Sequence, residues 1–212
     1  MGCVASAPGN AEERTRRELA EKTHFRPGQI RVLRDVFDKV ARGHNHDGVI
    51  DFAEFQSALY GAHEHGEDDL FSERIFECFD TEHNGELSFE EFVVGLSVFH
   101  PNATRKEKTE FAFKVYDLRG TGMIDRDDVR RMLVAVLKQS TSMMLTKEMI
   151  EQVLDQTFED CDLTKDGVIS LKEFEALVEK NEKVIANMTM SSLNQLTKQY
   201  PDFLFNEASE VY

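Results

Sequence analysis

The sequence predicts an all-α protein of four helix–loop–helix units in two paired lobes, with short two-stranded β links between paired loops. Three observations carry this. Negative charge is concentrated in four segments, Gly43–Glu54, Asp80–Glu91, Asp117–Asp128 and Asp162–Glu173, which hold fifteen acidic residues against four basic ones. Each segment has a central Gly, an aliphatic residue two positions later and a closing carboxylate. Aromatic residues stand four positions ahead of three of them (Phe76, Phe113 and Phe158), and apolar residues follow at helical spacing, as in Val129, Met132, Leu133, Val136 and Leu137.

The composition agrees. The 212 residues include 25 basic and 40 acidic side chains, a net charge of −15, of which −11 lies in the four segments. A hydrophobic content of 41% with sixteen Phe is too apolar for a disordered acidic chain. Acidity of this degree argues against nucleic acid as a partner and suits a cation or a partly basic protein. Three Cys are too few, and odd in number, for a disulfide framework, so a reducing compartment is expected. Nothing approaches an unbroken apolar run of about 18 residues, and the N-terminus has no secretory apolar core.

The segments identify the unit. An EF-hand loop takes oxygen ligands from positions 1, 3, 5, 7, 9 and 12, with Gly at 6 for the sharp turn. The second segment offers Asp80, Glu82, Asn84, the Glu86 carbonyl, Ser88 and Glu91 at those positions. The fourth offers Asp162, Thr164, Asp166, the Val168 carbonyl, Ser170 and Glu173. Ser88-x-x-Glu91 and Ser170-x-x-Glu173 are also capping boxes for the following helices. A capping box alone requires neither the carboxylate at 1, the Gly at 6 nor the aliphatic at 8. Position 8 is Ile50, Leu87, Ile124 and Ile169, residues suited to a short strand pairing two loops back to back. Between the lobes, His100-Pro101-Asn102 breaks the helical pattern and Thr104-x-x-Glu107 opens the next helix.

The other two loops are irregular. Counting back from Gly48 places Gly43 at position 1 of the first loop, whereas counting forward from Phe37 and Val40 opens it at Ala41 with two extra residues. A longer loop would use backbone carbonyls early, with Asp47, Asp51 and Glu54 supplying charge. The alternative is a metal-free hand that only pairs with the second. The third loop offers Asp117, Thr121, the Met123 carbonyl, Asp125 and Asp128, but Arg119 sits at position 3 and the closing residue is the shorter Asp. Weak Ca²⁺ binding, with Mg²⁺ as an alternative ion, is expected there. Two to four Ca²⁺ ions are expected in all, held most tightly by the second and fourth hands.

Met1-Gly2-Cys3-Val4-Ala5-Ser6 fits the myristoylation pattern at Gly2. One such chain gives marginal membrane binding, roughly 10⁴ M⁻¹, so Cys3 is the expected second acylation site. Seven of the eight Met lie at or beyond residue 123, and the tail carries Leu193, Leu196, Tyr200, Phe203, Leu204 and Phe205. Met188, Met190 and Leu193 are candidates for an adaptable groove, whereas Met132, Leu133 and Leu137 read as core. No phosphate-binding loop, nucleophile elbow or His-Glu-x-x-His run marks an enzyme. His44-x-His46 and His63-x-His65 read as solvated loop residues, and Cys78 and Cys161 as small core residues.

Together these features resemble the calcineurin B-like calcium sensors of plants and green algae, from about Phe25 to Phe205. The stretches that carry the likeness are Asp80-Thr81-Glu82-His83-Asn84-Gly85, Leu96-Ser97-Val98-Phe99-His100-Pro101-Asn102-Ala103, Asp155-Gln156-Thr157-Phe158-Glu159-Asp160 and Asn187-Met188-Thr189. The long first loop and Met1-Gly2-Cys3 are similar too. The resemblance implies Ca²⁺ binding by the first loop through backbone carbonyls. It implies a monomer or weak dimer that binds the regulatory helix of a partner Ser/Thr kinase in a hydrophobic groove. It further implies that the sensor carries the kinase to a membrane, the plasma membrane or alternatively the vacuolar one, to act on ion transport. The family ends in Phe-Pro-Ser-Phe, with a phosphorylated serine. Here the run is Tyr200-Pro201-Asp202-Phe203, so Asp202 is expected to supply a permanent partial mimic of the phosphate charge. The implied division is an acylated tail at 1–24, lobes at 25–100 and 101–183, and a regulatory tail at 184–212. A regulatory component of a phosphatase, a neuronal-type sensor and a simple Ca²⁺ buffer remain the alternatives.

Overall fold

A computed structural model describes residues 8–42, 48–60, 70–139, 146–181 and 184–185. Among them the order is α1 (Pro8–Lys22), α2 (Pro27–Val40), β1 (Ile50–Asp51), α3 (Phe52–Tyr60), α4 (Leu70–Phe79), β2 (Glu86–Leu87), α5 (Phe89–Ser97), α6 (Arg105–Tyr116), β3 (Met123–Asp125), α7 (Arg126–Gln139), α8 (Lys147–Cys161), β4 (Val168–Ser170) and α9 (Leu171–Lys180). The expected all-α, EF-hand architecture is the one observed. Both expected β links form: Ile50 pairs with Leu87 and Ile124 with Ile169, each antiparallel. All four of these aliphatics are buried.

Local chemistry starts the helices. Ser88, Thr104 and Ser170 each accept the N3 backbone N–H, and the Glu at N3 reaches back to the cap. Thr146 caps α8, and Pro27 opens α2 with φ already suited to a helix. Within the segment that the resemblance implies is an acylated tail, α1 occupies Pro8–Lys22. Its exposed face carries the i,i+4 ion pairs Arg14–Glu18 and Arg17–Glu13, and its Leu19 is buried at 1% exposure. One apolar anchor therefore ties a largely charged helix to the N-terminal lobe.

The first core gathers Phe25, Leu33, Phe37, Phe55, Phe76, Phe79 and Phe92, with rings meeting edge to face. It does not stop at the lobe boundary. Val115 and Met132 belong to it, and Phe111 meets both Phe79 and Phe99. The second core joins Phe113, Ile124, Cys161, Ile169, Phe174 and Val178. Of the three helix residues expected in the core, Met132 is buried, while Leu133 and Leu137 are half-buried. Burial pushes the Cys78 thiol up to about 11 and raises that of Cys161. Both are therefore inert packing residues. No described helix is long and apolar enough to cross a membrane.

Among the described residues, Arg74 and His24 make polar contacts with the C-terminal lobe. Arg74 on α4 donates from Nη2 to the carbonyls of Lys114 (2.9 Å) and Asp117 (2.8 Å), at the end of α6. His24 donates its backbone N–H to Ser97 Oγ at 2.9 Å, and its Nε2 lies 3.0 Å from Glu107 Oε1. The hydroxyl and N–H of Thr104, helped by His24, hold the Glu107 carboxyl down to about 2, against an ordinary 4.5. A carboxyl lowered on folding stabilises the fold above its unfolded value and loses that contribution as pH falls through the folded one. The difference in thermal midpoint between the wild type and Glu107→Gln should therefore shrink as pH falls from about 5 toward 2. Thermal melts by circular dichroism across that range check this.

Gly95 in α5 lies against the Phe79 ring, where an added Cβ would come within 2.5 Å of the ring carbons. Gly95→Ala should cost about 1–3 kcal/mol by overpacking, read as a lower urea midpoint at unchanged slope.

Candidate metal centres

One hydrogen bond sets the start of loops two to four. The N–H of the first loop residue donates to the carbonyl of the Phe four residues earlier: Asp80 to Phe76 (2.8 Å), Asp117 to Phe113 (2.9 Å) and Asp162 to Phe158 (2.9 Å). In the first hand the same bond runs from Ala41 to Phe37 at 2.8 Å, as α2 ends. α2 thus ends at Val40, ahead of both expected starts, and residues 43–47 of that loop lie outside the described residues. Neither expected first residue, Ala41 or Gly43, carries a side-chain oxygen. Six residues before the closing acid the chain turns with positive φ in all four loops, at Gly48 (85°), Gly85 (81°), Gly122 (80°) and Gly167 (86°). That region favours glycine. Position 4 is left-handed too, at His83 (54°) and Lys165 (59°), which the sequence pattern does not announce.

Loops two and four share one arrangement. Asp80 Oδ1 and Oδ2 accept the N–H groups of Asn84 (3.1 Å) and Gly85 (2.8 Å). Asp162 does the same for Asp166 (3.2 Å) and Gly167 (2.8 Å). From the far end, Glu91 Oε1 accepts the Glu82 N–H at 3.1 Å, while Oε2 accepts the N–H and hydroxyl of Ser88. Glu173 repeats this with the Thr164 N–H at 2.9 Å and with Ser170. Asn84 and Asp166 fold over Glu86 and Val168 in the strands, accepting their N–H groups.

The charges in these two loops are unbalanced. Asp80, Glu91, Asp162 and Glu173 are buried, yet among the described residues no Lys or Arg side chain pairs with them. Hydrogen bonds hold the two closing carboxyls, Glu91 and Glu173, below the ordinary carboxylate range. At Glu91, burial pushes the carboxyl up, but the donors of Ser88, Glu82 and Thr81 outweigh it and hold it low. The Ser170 N–H is the main influence at Glu173, bringing its carboxyl down to about 2 against the opposing effect of burial. Among the described residues no three His, Cys, Asp or Glu side chains converge. The donors are instead two carboxylates per loop, joined by neutral side-chain oxygens and a strand carbonyl. An oxygen-only set with two uncompensated charges fits a hard divalent cation.

Loop one is described only from Gly48 onward, where Asp51 and Glu54 cap α3: Glu54 Oε2 accepts the Asp51 N–H and Asp51 Oδ1 accepts the Glu54 N–H. Loop three keeps the turn, with Asp117 accepting from Thr121 (3.0 Å) and Gly122 (2.7 Å). Its remaining oxygens are differently engaged. The Thr121 hydroxyl donates to the Met123 carbonyl at 3.0 Å. The Arg119 guanidinium pairs with Asp125 and lies 3.4 Å from Asp128 Oδ1. Burial raises the Asp128 carboxyl. At Asp125 burial acts upward as well, but the Asp128 N–H and Arg119 prevail and lower it. Of the predicted oxygens of this loop, those of Asp125 and Asp128 are thus brought together around a guanidinium. Gly2, Cys3, His44, His46, Asp47, His63, His65, Met188, Met190, Leu193, Tyr200, Pro201, Asp202 and Phe203 lie outside the described residues.

Known proteins agree with this geometry. The family described as an EF-hand domain pair matches residues 22–96 and 106–179. Calcineurin B-like protein 5 of Arabidopsis thaliana is 35% identical over 96% of this chain and 100% of its own length. The calcineurin B protein of Candida glabrata is 34% identical over 82% of the chain and 93% of its own, and that of Yarrowia lipolytica 36% over 79% and 91%. Two loops of one pattern, two β-linked pairs and similarity along nearly the whole length lead to one conclusion: the chain belongs to the calcineurin B-like family of EF-hand calcium sensors.

Proposed function

We propose that this chain is a membrane-anchored sensor that binds Ca²⁺ through its second and fourth loops and then engages the regulatory helix of a Ser/Thr protein kinase, so regulating ion transport. The observation that carries the reading is the pair of buried, cation-free carboxylates at positions 1 and 12 of both loops. Bound Ca²⁺ would supply the positive charge that no Lys or Arg side chain among the described residues brings to these four carboxylates. Asp80, Glu82, Asn84, the Glu86 carbonyl, Ser88 and Glu91 would hold it in the second hand. Asp162, Thr164, Asp166, the Val168 carbonyl, Ser170 and Glu173 would do so in the fourth.

The protein's own residues then do the signalling. Glu91 and Glu173 sit at N3 of α5 and α9, so drawing either carboxylate deeper into its loop reorients the helix it begins. The Ile50–Leu87 and Ile124–Ile169 pairs pass that movement to the neighbouring hand. An opened helix pair exposes apolar surface for an amphipathic helix. Gly2 and Cys3 would carry the acyl chains, holding the complex on the cytoplasmic face of the plasma membrane.

A second reading, regulation of a protein phosphatase, is favoured by the relatives named as calcineurin B, at 34% and 36% identity. Affinity capture with the acylated chain in Ca²⁺ and in chelator tests both. A Ser/Thr kinase retained only in Ca²⁺ supports the first reading, and a phosphatase catalytic chain supports the second. A Gly2→Ala chain that stays with the membrane fraction overturns the anchoring.

A further inference from the structure

Loop three closes by a different device from loops two and four. In those loops the acid at position 12 reaches back across the loop to the N–H of position 3: Glu91 to Glu82 at 3.1 Å and Glu173 to Thr164 at 2.9 Å. Asp128 is one methylene shorter, and its Oδ2 accepts the Asp125 N–H at 3.0 Å within its own helix cap. The span back to position 3 is made from the opposite side. Arg119, at position 3, extends its guanidinium to Asp125 and to Asp128 Oδ1. That oxygen is fully buried and has no hydrogen bond, so the guanidinium 3.4 Å away is the positive charge that faces it. The Met123 carbonyl, at position 7, is already engaged by the Thr121 hydroxyl.

We propose that Arg119 is the resident cation of the third loop, holding this hand closed without a metal ion. A guanidinium is always charged and presents several donors in a rigid fork, so it can bridge two carboxylates as an ion would. A divalent cation entering here would have to displace Arg119 from both Asp125 and Asp128, and would meet its positive charge at the position that elsewhere supplies a ligand. The third hand is therefore constitutively set. Through the Ile124–Ile169 pairing it presents the fourth loop with a preformed partner strand. The proposal is independent of whether loops two and four bind Ca²⁺, because it concerns the difference between wild type and an Arg119 variant.

Two measurements on the full chain, stripped with chelator, test it. Calorimetric Ca²⁺ titration with equilibrium dialysis should give Arg119→Asp one more bound ion per chain than the wild type; equal stoichiometry overturns the proposal. Thermal melting in chelator covers the case in which Arg119→Asp does not fold. Arg119→Met should melt below the wild type, because Asp128 is left facing no cation, and melting at the wild-type temperature overturns the proposal. Heat from the wild type alone reports on the other loops, so failure of the functional reading and failure of this one are distinguishable.

Discussion

Glu91→Gln and Glu173→Gln should each remove one high-affinity step from the calcium titration. Glutamine keeps the length of the arm and one acceptor oxygen but loses the charge and the second strong acceptor. In the metal-free protein Ser88 and Ser170 still offer their capping oxygens to the helix N–H groups, while the loop loses the carboxylate that accepts the N–H of Glu82 or Thr164. In the ion-bound protein the closing carboxylate is one of only a few charges facing the cation. Affinity at the altered loop should fall about a hundredfold, from roughly 10⁻⁷–10⁻⁵ M to roughly 10⁻⁵–10⁻³ M. Calorimetry on each variant, with circular dichroism in chelator to show an unchanged fold, makes the comparison. An unaltered titration would place the binding elsewhere.

Phe79→Ala should produce the largest loss of stability, about 3–5 kcal/mol. Phe79 is 1% exposed and meets Phe55 at 5.6 Å, Phe99 at 6.4 Å and Phe111 at 6.1 Å. It closes α4, lies on Gly95 of α5 and touches α6, so three elements lose packing together. Collapse into the vacancy is opposed from each side by another ring, which keeps the cavity cost high. Urea unfolding in chelator, without ion binding to stabilise the folded state, measures it.

Much of this was legible in the sequence because EF-hand loops are local. Position 6 glycines, aliphatics at position 8 and Ser-x-x-Glu caps lie within twelve consecutive residues, so their spacing alone specifies the turn, the strand pairing and the next helix. Aromatics four residues ahead of a loop were legible for the same reason. What the sequence did not disclose was non-local. Leu19 is the lone buried residue among exposed charges on the described part of α1, too weak a pattern to distinguish a helix from a tail. His24 finds Ser97 and Glu107 across more than seventy positions. Arg119 was visible as a misfit at position 3, but its pairing with Asp125 and Asp128 depends on where the guanidinium lies once the loop is folded.

Arg74 has a mechanical consequence. It stands on the helix that leads into the second loop and grips two carbonyls at the threshold of the third. Its guanidinium is a lever arm between halves that the covalent chain connects only through the bend at His100 and Pro101. A displacement of α4 would therefore reach the root of the third hand through this guanidinium, and the fourth through the Ile124–Ile169 ladder.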